Sequence, residues 1–265
     1  MKLIFAGTGS AFTMRNFQTN ILVRHNEKSL LFDAGGDIRF ALKNVNMSYK
    51  NIDALYISHL HGDHAGGVET LAFCTFFDPS VEGKIKLYGN GELLRKGWNN
   101  TWKGGLESIQ GNVMSLTDYF DVNMVRPNDS FEWEGITFSL VQSVHIMNGY
   151  ALVPSYGLMF TDPDSGKRVF LTGDTQFNPN QIMDFYKEAD VIIQDCETLP
   201  FCSGVHANFT ELVTLPADIK KKMVLVHYQD NILSDESDIV LKDEWIAKLD
   251  EHGFQIGIKG DTIKI

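Results

Sequence analysis

The chain has 265 residues, 43% of them hydrophobic, and its 34 acidic side chains outnumber its 23 basic ones, for a net charge of −11. This length suits a single α/β domain over residues 1–265, and the acidic balance disfavours a large nucleic acid as substrate, because phosphate backbones are bound by basic surfaces. No apolar run reaches the roughly 20 residues that cross a bilayer, so we expect a cytoplasmic protein without membrane contact.

The first half of the chain predicts buried strands that end in polar or glycine-rich loops. An apolar run over 3–6 predicts a first strand that stops at Gly7-Thr8-Gly9-Ser10. We interpret that loop as a border of the functional site, since it lacks the ending of a P-loop. The other elements predicted in this half are a hairpin (20–24 with 29–32), a helix (37–43), a strand (52–57) and a helix that begins near Gly66 or Gly67.

The second half repeats this alternation of strands and helices. Turn sequences at Glu134-Gly135 and at 163–166 predict two further hairpins, and hairpins exclude an all-parallel sheet. The sequence therefore predicts an α/β fold of packed layers. Segment 95–127 carries several aromatic residues and predicts a helix plus an excursion, either a lid or a partner-contact surface. The remaining predicted elements are helices at 178–188 and 244–252 and strands at 136–141, 191–194 and 223–227.

One hexapeptide carries the strongest chemical signal. His59-Leu60-His61-Gly62-Asp63-His64 offers four metal ligands directly after a buried strand. Imidazole and carboxylate together suit zinc, iron or manganese. His59 and His61 can converge on one ion from an extended loop, which leaves Asp63 and His64 on the side of a second ion. The alternative, a chance surface cluster of polar residues, is disfavoured by this spacing.

The hexapeptide and the two glycines after it, Gly66-Gly67, resemble the signature of the metallo-β-lactamase superfamily. Two further segments, 5–10 and 31–35, resemble the RNase Z-like branch, and the resemblance covers nearly the whole chain. It implies a metallo-β-lactamase αββα sandwich of two mixed sheets flanked by helices. It also implies two Zn²⁺ ions, with Mn²⁺ or Fe²⁺ compatible with the same ligands.

The resemblance implies three more ligands downstream. His145, Asp174 and His227 match the family positions, with Asp174 in Thr172-Gly173-Asp174-Thr175. Taken singly, they could be an ordinary polar residue, a helix cap and a core histidine. Together they each end a predicted strand, in the expected order. One metal would be held by His59, His61 and His145, and the other by Asp63, His64 and His227, with Asp174 between them.

The same resemblance assigns catalytic roles. Asp63 would orient the attacking hydroxide that the two metals activate, as well as bind metal. His206 would protonate the leaving oxygen, and Glu197, in Gln194-Asp195-Cys196-Glu197, would support it. A phosphodiester needs such a donor because an alkoxide leaves poorly. The alternative is that His206 caps a helix or faces solvent.

The spacing of two ligands narrows the substrate. Only 29 positions separate His145 from Asp174, which leaves no room for the long arm of the usual bacterial tRNA-processing enzymes. The chain resembles the anti-Pycsar phosphodiesterases, homodimers that hydrolyse 3′,5′-cyclic nucleotides, including cyclic CMP and cyclic UMP. The resemblance implies a small cyclic nucleotide substrate, a homodimer and, for a phage-encoded protein, the host cytoplasm. Open alternatives are an RNase Z-like tRNA 3′-endonuclease, an arylsulfatase, a cyclic ribose-phosphate phosphodiesterase and a non-catalytic metal-binding sensor.

Overall fold

The computed structural model describes residues 1–235 and 239–265 of the chain. Its strands are β1 (Lys2–Gly7), β2 (Asn20–His25), β3 (Lys28–Phe32), β4 (Ala54–Ile57), β5 (Ile85–Asn90), β6 (Ser108–Ile109), β7 (Asn112–Val113), β8 (Phe120–Val125), β9 (Ser130–Trp133), β10 (Ile136–Met147), β11 (Leu152–Thr161), β12 (Arg168–Leu171), β13 (Val191–Asp195), β14 (Met223–Val226), β15 (Gln255–Ile256) and β16 (Thr262–Lys264). Its helices are α1 (Ile38–Asn44), α2 (Gly62–Ala65), α3 (Val68–Phe77), α4 (Gly91–Gly97), α5 (Lys103–Leu106), α6 (Leu116–Tyr119), α7 (Pro179–Glu188), α8 (Phe209–Leu212), α9 (Ala217–Lys220) and α10 (Asp243–His252). A π-helical turn at Trp98–Trp102 joins α4 to α5, and 3₁₀ turns lie at Tyr49–Asn51 and Asp230–Ile232.

Two seven-stranded sheets form the centre of the molecule. The first has the order β16-β1-β2-β3-β4-β5-β8, and the second has the order β15-β14-β13-β12-β11-β10-β9. Each is mixed: β3, β4, β5 and β8 are parallel neighbours, as are β12 to β15, while the remaining pairs are antiparallel. The predicted αββα sandwich of two mixed sheets is confirmed.

Aromatic side chains from both sheets pack in the core between them. The rings of Phe32 and Tyr56 stack with centroids 5.4 Å apart, and Phe131 stacks on Phe138 at 5.1 Å. The Tyr56 hydroxyl donates to the backbone oxygen of Tyr156 at 2.8 Å, which joins the two sheets directly. Burial of each such side chain contributes about 1.5–3 kcal/mol. The sandwich is therefore fixed close to the strand ends that carry the site.

Helices cover the outer faces of both sheets. Ala41 and Leu42 of α1 and Leu71 of α3 join the core around the first sheet. Tyr186 of α7 and Trp245 of α10 pack in a second cluster outside the second sheet. No helix among the described residues has the apolar length that a membrane crossing requires.

Most predicted elements form near their expected bounds, but one strand is longer than predicted and several elements were not predicted. The strand predicted to end at 141 continues to Met147, through an irregular register between Ser143 and Ile146. His145 therefore lies inside β10 rather than after it. Strands β5 and β8 were not predicted, and segment 95–127 contributes β8 to the edge of the first sheet beside its helical turns and a short hairpin.

Candidate metal centre

The carboxyl ends of four parallel strands meet at one edge of the sandwich and carry the candidate site. His59 follows β4, Asp174 follows β12, Asp195 ends β13 and His227 follows β14. In open α/β sheets this edge lines the ligand crevice. The site therefore draws side chains from both sheets, and each is placed by the end of a buried strand.

Three histidines and an aspartate form the first group of ligands. The ligand atoms of His59, His61, His145 and Asp174 all lie within 4.8 Å of one another. His61 Nδ1 is 3.0 Å from His59 Nε2 and 3.2 Å from His145 Nε2. His61 is exposed, while the other three side chains are buried. The group therefore opens to solvent on the side of His61.

The second group consists of Asp63, His64 and His227, again with Asp174. Asp63 Oδ2 lies 3.1 Å from His64 Nε2 and 3.2 Å from His227 Nε2. Asp174 joins the two groups, since its Oδ2 is 3.6 Å from Nε2 of both His59 and His227. The structure brings all seven predicted metal ligands together, and they form the two groups that the resemblance implies.

The chemistry of this donor set fits divalent metal ions. Imidazole nitrogens 3.0–3.2 Å apart converge with buried carboxylates on the same space. Nitrogen lone pairs and carboxylate oxygens repel one another unless a proton or a cation lies between them. A mixed imidazole and carboxylate set suits zinc, iron and manganese. The described residues therefore form a candidate divalent-metal centre, in which two groups of ligands share Asp174.

The second nitrogen of each buried ligand histidine contacts the protein. His64 Nδ1 is 2.7 Å from Asp33 Oδ2, and His145 Nδ1 is 2.8 Å from the backbone oxygen of Val205. Contacts of this kind fix the ring orientation and the tautomer of a metal ligand. The other two are His59 Nδ1 with Ser58 Oγ at 3.0 Å and His227 Nδ1 with Asp195 Oδ1 at 3.3 Å.

Two residues of the site have left-handed backbone conformations that side chains rarely adopt. Asp33 has a φ of 64° and His227 has a φ of 65°. The His227 N–H donates to the backbone oxygen of Thr8 at 2.7 Å, and the Asp33 N–H donates to that of Tyr56 at 2.9 Å. Such conformations persist where surrounding contacts over-determine them, and they cluster at functional sites. The Gly7–Ser10 loop thus borders the site by holding His227.

Burial and mutual charge set the ionisation of these groups. Burial lowers the pKa of His59 well below the ordinary value, and His64 adds to the effect. Burial also opposes the charged form of His227, but Asp174, Asp195 and Asp63 together outweigh it and raise the pKa of His227 to about 10. Burial likewise opposes ionisation of Asp63, but neighbouring His64 and His227 hold its pKa far below the usual range. The carboxylate of Asp63 is therefore held ionised, as metal ligation requires.

His206 lies at the edge of the second group. Its Nδ1 is 2.8 Å from Asp195 Oδ2 and 3.8 Å from Asp174 Oδ2, and 16% of the side chain is exposed. Burial disfavours the charged ring, but Asp195 and Asp174 together outweigh burial and raise the pKa of His206. A protonated imidazole beside the metal ligands, reachable from solvent, is suited to donating a proton.

The family model of the anti-Pycsar protein Apyc1 matches residues 1–244 of the chain. The chain belongs to the anti-Pycsar Apyc1 family. An anti-Pycsar protein Apyc1 of Paenibacillus sp. (strain J14) is 33% identical, over 88% of this chain and 91% of that protein. A relative of the same description from Bacillus phage vB_BsuM-Goe3 is 30% identical, over 87% of this chain and 90% of that protein.

Solved structures support the fold of this Apyc1 family member. The metallo-β-lactamase fold protein YhfI from Bacillus subtilis aligns with a TM-score of 0.72 at 17% identity, over 99% of this chain and 98% of that chain. Zn²⁺-bound PqqB from Methylobacterium extorquens aligns with a TM-score of 0.75 at 16% identity, over the full length of both chains. The metallo-β-lactamase fold and the predicted family are therefore confirmed.

One predicted contact of the site is wrong. Glu197 was expected to support His206, but the carboxylate that contacts His206 is Asp195. The backbone of Glu197 hydrogen-bonds with Ala207 and Phe209, and its carboxylate accepts from the Ser203 N–H at 2.9 Å. Glu197 therefore stabilises the loop that contains His206.

Sequence reasoning missed Asp33 and Asp195, although one signal was available for both. Asp33 directly follows the buried strand β3, and Asp195 is the last residue of the buried strand β13. Asp33 lies in a segment that resembles the RNase Z-like branch, and Asp195 lies two positions before Glu197. Placement at the strand end, applied uniformly, would have identified both carboxylates.

Proposed function

We propose that the chain is a metal-dependent phosphodiesterase that hydrolyses 3′,5′-cyclic nucleotides and, as an anti-Pycsar enzyme, acts on cyclic CMP or cyclic UMP. The observation that carries the proposal is the pair of ligand groups that share Asp174, with His206 beside them. Membership of the Apyc1 family supports the substrate class.

Each part of the site has a role in this reaction. Two divalent ions bound by the seven ligands would supply hydroxide near neutral pH, by lowering the pKa of water from 15.7 to about 7, and would offset phosphoryl charge. Asp63, whose Oδ2 lies 3.1 Å from His64 Nε2 and 3.2 Å from His227 Nε2, would also accept a hydrogen bond from the attacking water and orient it. His206, held by Asp195 at 2.8 Å, donates the proton that the leaving ribose oxygen needs.

The compact fold supports a small substrate. Between His145 and Asp174 the chain forms the end of β10, strand β11 and strand β12, with a tight turn at 162–167. No protruding arm interrupts this part of the described chain. The net charge of −11 is unfavourable for a long phosphate backbone but has little effect on a single cyclic phosphodiester at a cationic centre.

A substrate panel tests the proposal. Purified protein, stripped and reloaded with zinc or manganese, is offered four 3′,5′-cyclic nucleotides and an unprocessed tRNA. We expect ring opening to nucleoside monophosphates and an intact tRNA. Activity should be lost in the His61→Ala/Asp63→Ala variant and kept in His252→Ala, which removes a histidine remote from the ligands. Cleavage of the tRNA with intact cyclic nucleotides would refute the substrate class and favour an endonuclease.

A further inference from the structure

A cavity of about 480 Å³ lies directly beside the first group of metal ligands, with His59 and His61 in its wall. One side is formed by α4 and the π-helical turn, and the other by the beginning of β11, at 151–154. The volume falls in the range of small-ligand pockets. A phosphodiester held at the metal ligands would extend its remaining part into this space.

The wall of the cavity is tied to the metal-binding loop. Asn100 and Thr101 of the π-helical turn line the cavity, while Trp102 of the same turn is buried on the other side. The Trp102 indole N–H donates to the backbone oxygen of Ala65, the last residue of α2, at 3.1 Å. Short π-helical turns are frequent at functional sites. The cavity therefore keeps a fixed position relative to Asp63 and His64.

Asn90 contributes an unused hydrogen-bond donor to this wall. It lines the cavity, is 1% exposed and lies at the carboxyl end of β5. Its Oδ1 accepts from the N–H groups of Glu92 at 3.0 Å and Leu93 at 3.3 Å, as the N-cap of α4. These bonds fix the orientation of the amide, because its nitrogen cannot accept from a backbone N–H. Among the described residues, the Asn90 Nδ2 atom has no hydrogen-bond partner.

A buried donor without a partner destabilises a protein unless another molecule satisfies it. We infer that the cavity binds the nucleoside part of the substrate, and that the side-chain amide of Asn90 donates a hydrogen bond to a carbonyl oxygen or ring nitrogen of the base. The inference rests on the proposed function, since it assumes a nucleotide at the metal ligands. It makes Asn90 a residue of substrate binding that the metal motif does not include.

Two variants separate this donor from the role of Asn90 as a helix cap. Asn90→Asp keeps a capping oxygen and the size of the side chain but removes the amide donor, and Asn90→Ser keeps a capping oxygen without adding charge. Both should unfold at nearly the wild-type temperature and retain the wild-type metal content. Asn112→Asp, on an exposed hairpin, controls for the added charge.

We expect both Asn90 variants to raise KM for the preferred cyclic nucleotide by about tenfold with little change in kcat. The dissociation constant of its slowly hydrolysed phosphorothioate analogue should rise by the same factor in calorimetry. Hydrolysis of bis(p-nitrophenyl) phosphate, a diester without a nucleoside, should be unchanged.

Three results would overturn the inference, and each has a different consequence for the proposed function. If the wild-type protein hydrolyses bis(p-nitrophenyl) phosphate but no cyclic nucleotide, the proposed function fails and the inference fails with it. If it hydrolyses cyclic nucleotides and both variants keep the wild-type KM and dissociation constant, the function stands and Asn90 is only a cap. An equal loss on both substrates would mean that Asn90 acts through the fold.

Discussion

The carboxylate of Asp33 holds three groups of the metal-binding loop in place. It lies 2.7 Å from His64 Nδ1 and accepts from both the N–H and the hydroxyl of Ser58. Burial raises the pKa of this carboxyl, while the neighbouring His64 opposes the rise. Asp33 thus orients a metal ligand although it is not itself predicted to bind metal.

We predict that Asp33→Asn weakens metal affinity or activity by about 10–100-fold. The asparagine amide is neutral and has only one acceptor oxygen, so it cannot replace the carboxylate as the hydrogen-bond partner of both His64 and Ser58. Metal content after dialysis against a graded chelator measures the loss. Asp162→Asn is the matched control, since it changes a buried aspartate remote from the site. Equal metal retention in the two variants would contradict a positioning role for Asp33.

The choice between Asp195 and Glu197 is open to a direct comparison. We predict that Asp195→Asn lowers kcat by about 10²–10⁴-fold, because His206 loses the partner that keeps it protonated and oriented. Glu197→Gln should keep kcat within a few-fold and lower stability by about 1–3 kcal/mol, because it weakens the Ser203 contact.

The identity of the leaving group distinguishes proton donation from a general loss of structure. A p-nitrophenolate leaves without a proton, so the defect of Asp195→Asn should shrink on bis(p-nitrophenyl) phosphate. A defect of equal size on both substrates would show that Asp195 acts through the metal ligand His227, which it also contacts.

For individual residues, the sequence predicted the site best where one short motif contains several metal ligands. The hexapeptide at 59–64 predicted four ligands, and the resemblance supplied the other three. The partner of His206 was missed because Glu197 and Asp195 lie on the same short stretch. The backbone of Glu197 pairs with the loop at 207–209, and with this pairing the carboxylate that faces the His206 imidazole is that of Asp195.

At the scale of elements, the predictable strands were those with a continuous apolar run. All four residues of β4 are buried, as the sequence suggested. In β8, only the first and last of six residues are buried, so neither alternation nor an apolar run marks it as a strand. In β10 the irregular register after Ser143 breaks the alternation just before His145. Packing partners, which the sequence does not display, decide these cases.

Close contact between two loops explains the glycine that precedes α3. A Cβ atom on Gly67 would lie 2.4 Å from the Gly35 oxygen and 3.0 Å from the Ala34 oxygen. We predict that Gly67→Ala pushes the 33–36 loop away from α2, lowers stability by about 1–3 kcal/mol and reduces metal content. Thermal unfolding and elemental analysis measure the two effects.

Gly104→Ala serves as the control for this prediction. Gly104 lies in α5, and nothing lies within 4 Å of the Cβ that the substitution would add. Alanine should stabilise that helix by about 1 kcal/mol without altering metal content. If Gly67→Ala were as stable and as fully loaded as Gly104→Ala, the close approach of the two loops would have no consequence for the site.

For the molecule as a whole, the ligands join the two halves of the sandwich. His59 to His64 follow β4 of the first sheet, whereas His145, Asp174 and His227 come from the second. Bound metal therefore crosslinks the two sheets, and the unfolded chain cannot present this arrangement. At metal concentrations about 1,000-fold above the dissociation constant, the expected stabilisation is about 4 kcal/mol.

We predict that chelation lowers the unfolding temperature by about 10 °C, and that zinc or manganese restores it. Calorimetry of the stripped and reloaded protein measures the shift. The His61→Ala/Asp63→Ala variant should show a much smaller response to chelator. An unfolding temperature that is insensitive to metal in the wild-type protein would mean that the two sheets hold the ligands together without it.

The assembly of the molecule is the last property open to a test, and we propose that the chain forms a homodimer. Two loops next to metal ligands expose large apolar side chains: Phe12 is 93% exposed, Met14 is 89% exposed and Tyr150 is 99% exposed. Exposed apolar groups of this size commonly mark contact surfaces. Light scattering should give a mass of about twice 29.8 kDa that persists on dilution.

The variant Phe12→Ser/Tyr150→Ser should shift that mass toward the monomer, whereas Val113→Ser, which removes an exposed apolar group from a remote hairpin, should not. A monomeric mass for the wild-type chain at every concentration would refute the dimer. A dimer unaffected by the double variant would instead place the contact elsewhere, away from the metal ligands. Neither outcome changes the ligand set itself, since all seven ligands and His206 come from a single copy of the chain.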